Sequence, residues 1–201
     1  MVYKTHTNLR DAKFRPAVLL AFAVMTLVAG CAQTSAPLLQ RAAYERSLGR
    51  TSQLGVGDKV RINVFGESDL TGVYSVTADG QIEFPLIGAV RAEGLTLTAF
   101  RQHLKSRLAN GYLSNPKITV EIDSYRPIFI HGEVRNGGEY PYRIGTRLKD
   151  AIAVAGGFNY RADEVRVLLT REGDIGQVWA NVDDNIVIMP GDNIRVVERF
   201  F

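Results

Sequence analysis

Hydrophobic and polar residues alternate from Lys59 to Val64. Val60, Ile62 and Val64 share one face and Lys59, Arg61 and Asn63 the other, which predicts a strand with one side buried. Gly57 and Asp58 supply the turn that starts it. Residues 73–77 and 81–84 are two further β-rich runs on either side of Asp79 and Gly80. Asp-Gly suits a two-residue type I′ turn, so these runs predict a hairpin. Pro85 has no N–H to donate and ends the pairing or lies at an edge. The period then changes. Leu97, Phe100, Leu104 and Leu108 recur at helical spacing, with Arg101, Gln102, Lys105 and Arg107 elsewhere on the wheel. Thr96 is placed to cap this helix, Leu95 and Phe100 stand at staple positions, and Asn110 with Gly111 stops it. Residues 117–122 alternate again, with Ile118, Val120 and Ile122 inward. Strand, hairpin, helix and strand make a compact α+β unit over residues 51–124.

A second unit covers residues 125–201. It opens with a strand over 127–130 and a hairpin over 132–140 that turns at Asn136 and Gly137. Thr146 is expected to cap a second helix with Leu148, Ile152 and Ala155 inward, and Gly156 and Gly157 to end it. Strands over 165–170 and 177–182 flank a turn at 172–174. After Pro190, Gly191 and Asp192 comes a last strand over 193–199. The run from Gly57 to Ile62 is echoed from Gly191 to Val196: Gly-Asp, then a polar residue, an aliphatic one, Arg and another aliphatic. Gly57, Asp58, Gly191 and Asp192 are therefore assigned to structural turns at the start of two strands.

Residues 1–30 are a different kind of sequence. Lys4, Arg10, Lys13 and Arg15 precede an apolar stretch over residues 17–30, shorter than the roughly 20 residues of a spanning helix. A basic start, a short apolar core and small residues at its end make a secretory signal. Leu27, Val28, Ala29, Gly30 and Cys31 resemble the lipobox of bacterial lipoproteins, which implies a diacylglycerol on the Cys31 thiol. The plainer alternative is an ordinary signal peptide with a cysteine by chance. Ala32 rather than Asp follows, which the lipoprotein resemblance associates with sorting to the outer membrane. Residues 31–50 then read as a lipid-anchored tether. Of the 24 basic and 21 acidic residues, four and one fall within the first thirty, which leaves 20 of each. A mature chain without net charge argues against a nucleic-acid partner.

No constellation for catalysis, cofactor or metal emerges. His6, His103 and His131 share no metal-ligand spacing, and His131 reads as a strand-end residue. There is no G-x-S-x-G elbow and no phosphate loop with Lys and Ser or Thr. Asp58 and Asp192 invite comparison with a glycosidase pair, which must face each other across roughly 5–10 Å, yet each follows Gly in a turn. Trp179, Tyr74, Tyr140, Tyr142 and Tyr160 could stack on sugar rings or pack in cores.

The motif G-x-G-D-x-x-x-I-x-V-F from Gly55, the Asp-Gly turn, P-L-I-G from Pro85 and G-L-T from Gly94 together resemble the polysaccharide export domain of bacterial outer-membrane polysaccharide export lipoproteins, the Wza and GumB type. G-E-V-x-x-x-G-x-Y from Gly132, A-G-G-F from Ala155 and P-G-D-N-I-x-V from Pro190 resemble the β-grasp (SLBB) module that comes after it in the same family. Val56 and Gly137 depart from it, since Pro is usual at both. The resemblance implies a non-enzymatic, cofactor-free lipoprotein on the periplasmic face of the outer membrane, forming a homo-oligomeric ring that conducts a capsular polysaccharide or exopolysaccharide. It also implies an inner-membrane polysaccharide co-polymerase as partner. The alternative is a lipid-anchored glycan-binding or sensing module that conducts nothing. Residues 193–201 are too few for a spanning helix. The expectation is a short member of the family whose Cys31 lipid alone enters the bilayer, under a separate outer-membrane pore protein.

Overall fold

A computed structural model describes residues 53–199. The chain order begins with β1 (Lys59–Val64), a 3-10 turn (Ser68–Leu70), β2 (Gly72–Ser75), β3 (Gln81–Phe84), β4 (Gly88–Arg91), α1 (Leu97–Ala109) and β5 (Ile118–Ser124). β1 lies between β2 and β5, antiparallel to both, while β3 and β4 form a separate hairpin. The alternation of β1 is complete: Val60, Ile62 and Val64 are buried and the residues between them exposed. They pack into one cluster with Phe100, Leu104 and Leu108 of α1, with Ile118, Val120 and Ile122 half-buried against it. Burying each of these large helix side chains contributes roughly 1.5–3 kcal/mol. The Thr96 hydroxyl accepts the Ala99 N–H at 3.2 Å and caps α1. Arg107 donates to the Ile87 carbonyl at 2.8 Å and ties α1 to the β3–β4 hairpin.

The chain continues with β6 (Ile128–Gly132), β7 (Gly138–Tyr140), α2 (Leu148–Val154), β8 (Ala162–Thr170), β9 (Val178–Asn181) and β10 (Asn193–Glu198). These strands form one mixed sheet in the order β7-β6-β10-β8-β9. The last strand in sequence is the middle strand in space, parallel to β6 and antiparallel to β8. Leu148, Ala151, Ile152 and Ala155 of the helical segment pack with Ile130, Val167, Leu169 and Ile194 in a second cluster. The two clusters share no residue. The described residues are α+β, with α1 packed in the first cluster and α2 in the second.

Three local expectations are corrected. Residues 73–77 form no extended ladder with 81–84: Thr77 N–H donates to the Gln81 carbonyl at 2.8 Å, but residues 72–75 pair with β1. Val76 N–H donates to the Asp58 carbonyl and Gly57 N–H to the Val76 carbonyl, each at 2.9 Å. The chain does reverse at Asp79 and Gly80, but only Gly80 has positive φ (71°), so the turn is not type I′. β3 pairs with β4 instead, around Pro85, Leu86 and Ile87.

Asn136 and Gly137 are not a tight hairpin turn either. Ile130 faces Gly138 in the last pair, and β6 runs on to Gly132, so residues 133–137 form a longer connection. Arg135 and Asn136 N–H groups donate to the carbonyls of Gly157 and Ala155, which holds that loop against the end of α2. Lastly, α2 starts after Arg147, not Thr146. The Thr146 hydroxyl donates backward to the Arg143 carbonyl at 2.7 Å, and the Asp150 carboxylate accepts the Arg147 N–H at 3.0 Å. A carboxylate in the first turn, favoured there by the helix dipole, replaces the hydroxyl cap.

Candidate functional site

The two Gly-Asp segments have one geometry. Asp58 N–H donates to the Gly55 carbonyl at 3.1 Å and Asp192 N–H to the Met189 carbonyl at 3.2 Å. Gly57 has φ 88° and Gly191 φ 80°, in the third position of each turn. That is the type II pattern, which requires positive φ there and favours Pro one residue earlier. Pro190 fills that place in one turn and Val56 in the other. Each aspartate then folds its carboxylate back over the turn. Asp58 Oδ2 accepts Gly55 N–H at 2.9 Å and Asp192 Oδ2 accepts Met189 N–H at 2.8 Å. Each turn feeds the middle strand of its own sheet, β1 or β10, and both side chains have 0% exposure.

A buried carboxylate needs a cation, or desolvation drives it toward the neutral form. Arg126 Nη1 donates to Asp58 Oδ2 and Arg126 N–H to Asp58 Oδ1, both at 2.8 Å. Arg126 Nε also reaches Glu172. Arg171 Nη1 donates to Asp192, and its Nη2 to the Val187 carbonyl at 3.2 Å. The second pair is less complete: Arg171 Nε and Asp192 Oδ1 are both buried without a hydrogen-bond partner. Burial pushes the Asp192 carboxyl up to about 7, against the downward pull of Arg171 and the Met189 N–H, while the Glu172 charge adds to the rise. Burial also raises Tyr125 and Tyr142, whose rings meet edge-on at 5.4 Å beside the two turns.

Both turns meet the segment that joins the sheets. Arg126 N–H is held by Asp58, and the next carbonyl, that of Pro127, accepts Gly191 N–H at 3.0 Å. The Asp192 carbonyl accepts Phe129 N–H at 2.9 Å. A cleft of about 250 Å³ opens here, lined by Gln53, Glu93, Arg126, Arg171, Glu172 and Pro190 among others.

Chemically, this is a junction of neutralised charges. Asp58 and Asp192 each carry their own guanidinium and bind turn N–H groups, so neither presents a free carboxylate to a substrate. Among the described residues no group of His, Cys, Asp and Glu is placed to hold a metal ion. His103 and His131 are exposed on α1 and β6. Tyr74 donates to the Leu70 carbonyl and packs on Phe84, Tyr142 is buried, and Tyr140 donates to the Asn136 carbonyl. Trp179 lies under Arg166, with 5.0 Å from Cζ to the ring centroid, and Tyr160 is exposed. Cys31 lies outside the described residues. Arg126, Arg171 and Glu172 carry no periodic signal that would mark them in the sequence. The available hint was that a Gly-Asp turn leading into a central strand buries its carboxylate and therefore needs a partner.

Residues 48–123 match the model of the polysaccharide biosynthesis/export protein family, and residues 127–178 that of the SLBB domain. Residues 48–123 thus carry a polysaccharide biosynthesis/export domain and residues 127–178 an SLBB domain. Both matched families are transport components and not enzymes. Asp58 lies in the export domain, Arg171 and Glu172 in the SLBB match, and Arg126 between the two. The chain is 31% identical over 147 residues to the exopolysaccharide production protein ExoF of Rhizobium meliloti (strain 1021), an alignment that covers 66% of it. Identity is 28% over 163 residues, 74% of this chain, to the EPS I polysaccharide export outer membrane protein EpsA of Ralstonia nicotianae. It is 24% over 132 residues, 65% of this chain, to the polysialic acid transport protein KpsD of Escherichia coli. The chain spans 35%, 42% and 23% of the lengths of these curated relatives.

Proposed function

We propose that this chain is a periplasmic component of a capsular polysaccharide or exopolysaccharide export channel. In this reading Cys31 carries a lipid that holds it at the outer membrane, and copies of the chain assemble into a ring through which the polymer passes. The supporting observation is the succession of a polysaccharide biosynthesis/export domain and an SLBB domain in one chain, with relatives named for exopolysaccharide production or export. A conduit must let its cargo slide, and a junction whose buried carboxylates are spent on turns and guanidiniums is consistent with that. The partners are the polymer, an inner-membrane polysaccharide co-polymerase and a separate outer-membrane pore protein. Among the described residues no helix is long and apolar enough to cross a membrane.

Deleting the gene tests the role. Surface polymer should disappear while lipid-linked repeat units are still made; normal surface polymer would refute it. Oligomeric state in detergent tests the assembly: a large ring is expected. A stable monomer that binds short oligosaccharides would point to a glycan-sensing module instead.

A further inference from the structure

The chain passes from the three-stranded sheet to the five-stranded sheet through residues 125–127, after β5 ends at Ser124 and before β6 begins at Ile128. Neighbouring residues of this passage are held from opposite sides. Arg126 N–H is bound by Asp58, which precedes β1, and the Pro127 carbonyl by Gly191, which precedes β10. Proline fixes its own φ and biases the preceding residue toward extended backbone. The step from Arg126 to Pro127 thus lies between a backbone contact to the β1 turn and one to the β10 turn.

One side chain reaches back across that step. The Arg126 guanidinium binds Asp58 on the near side and Glu172, in the turn between β8 and β9, on the far side. The ion pairs Arg61–Asp123, Lys149–Asp183, Arg161–Glu198 and Arg171–Asp192 each stay within one sheet's unit. Two glycines clear the path. A Cβ on Gly55 would lie 2.5 Å from Arg126 Cζ, and one on Gly191 would lie 2.7 Å from Glu172 Oε2. Neither approach could survive a side chain without displacing the strap.

The two ends are unequal. Asp58 is fully buried and accepts three N–H groups, from Gly55, the Arg126 backbone and the Arg126 guanidinium. The Glu172 side chain is 40% exposed against 14% for Arg126, so water can replace its bond. We propose that Arg126 is a releasable ionic strap, anchored at Asp58 and detachable at Glu172, which sets the angle between the export-domain sheet and the SLBB sheet. Detachment lets the cleft between Gln53, Glu93, Glu172 and Pro190 widen while both cores stay folded. The strap is a property of this chain's junction and does not depend on the export reading.

The test measures the angle directly. Spin labels at Gln102→Cys on α1 and Asp184→Cys after β9, in the full chain with Cys31→Ser, report the distance between the units. Glu172→Gln keeps the shape and removes the charge. It should broaden the distance distribution and raise the detached fraction by up to about fivefold, as expected for a partly exposed ion pair. Its melting temperature should fall by no more than ~4 °C. Salt at 1 M, where the screening length is about 3 Å, should broaden the unmodified protein in the same way. Glu198→Gln, which breaks an exposed pair inside one unit, should leave the distribution unchanged. An unchanged distribution in Glu172→Gln, or equal broadening by Glu198→Gln, would overturn the proposal. So would a protein that is already broad with Glu172 in place.

Discussion

Asp58 and Asp192 are equivalent residues in two unrelated sheets. Each carboxylate closes on the N–H three residues before it, at 2.9 and 2.8 Å, and each carries one arginine. Both turns launch a central strand, so both aspartates are buried, and burial changes what they are worth. A surface turn bond or cap is worth about 0.5–2 kcal/mol. Removing one member of a buried ion pair costs about 3–5 kcal/mol, because the other charge is left without a partner.

Asp58→Ala should therefore destabilise by up to about 3–5 kcal/mol, since it leaves Arg126 only the partly exposed Glu172 as a charged partner and frees the N–H groups of Gly55 and Arg126. Urea unfolding of the full chain measures this. A loss below about 1 kcal/mol would mean that Asp58 acts only as an ordinary turn residue.

Asp192 should give stability an unusual pH dependence. Its folded value of about 7 lies above the ordinary 3.8, so between these limits the folded state holds a proton that the unfolded chain releases. The contribution of this group is fully present below about pH 4 and is lost as pH rises through about 7. The span sets an upper bound of about 4 kcal/mol. Asp192→Asn cannot titrate. The difference in melting temperature between the native protein and this variant should shift steadily in the variant's favour from pH 4 to pH 7, then level off. A constant difference over that range would contradict a raised Asp192.

Val56→Pro should stabilise by about 0.4–1 kcal/mol. Pro190 holds the same place in the matching turn, and proline suits the second position of a type II turn. The gain comes from restricting the unfolded chain. Thermal unfolding would show a rise of a few degrees, and a lower melting temperature would show that the two turns differ at this position.

Cys31→Ser should abolish incorporation of labelled fatty acid and impair polymer export, leaving a protein that keeps its signal or is released in soluble form. Labelled lipid on the serine variant would refute lipidation at Cys31.

Much of the architecture was legible in one dimension because it derives from periodicity. The alternation at Val60, Ile62 and Val64 and the helical spacing of Phe100, Leu104 and Leu108 fix which faces are buried whatever those faces meet. Motif order and spacing carried the family. The Gly-Asp echo located both type II turns, since the glycine's positive φ is a local requirement. Strand partners were another matter. Residues 72–76 could pair with residues 81–84 or with β1, and the choice rests on backbone groups far back in the chain, at Gly57 and Asp58. The sequence likewise marks Asp58 and Asp192 as turn residues but not which cation each receives. Arg126 and Arg171 look like any other arginines in the string. Only the folded chain, by bringing both turns against residues 126 and 127, makes one of them the neutraliser of a buried carboxylate and the link between two sheets.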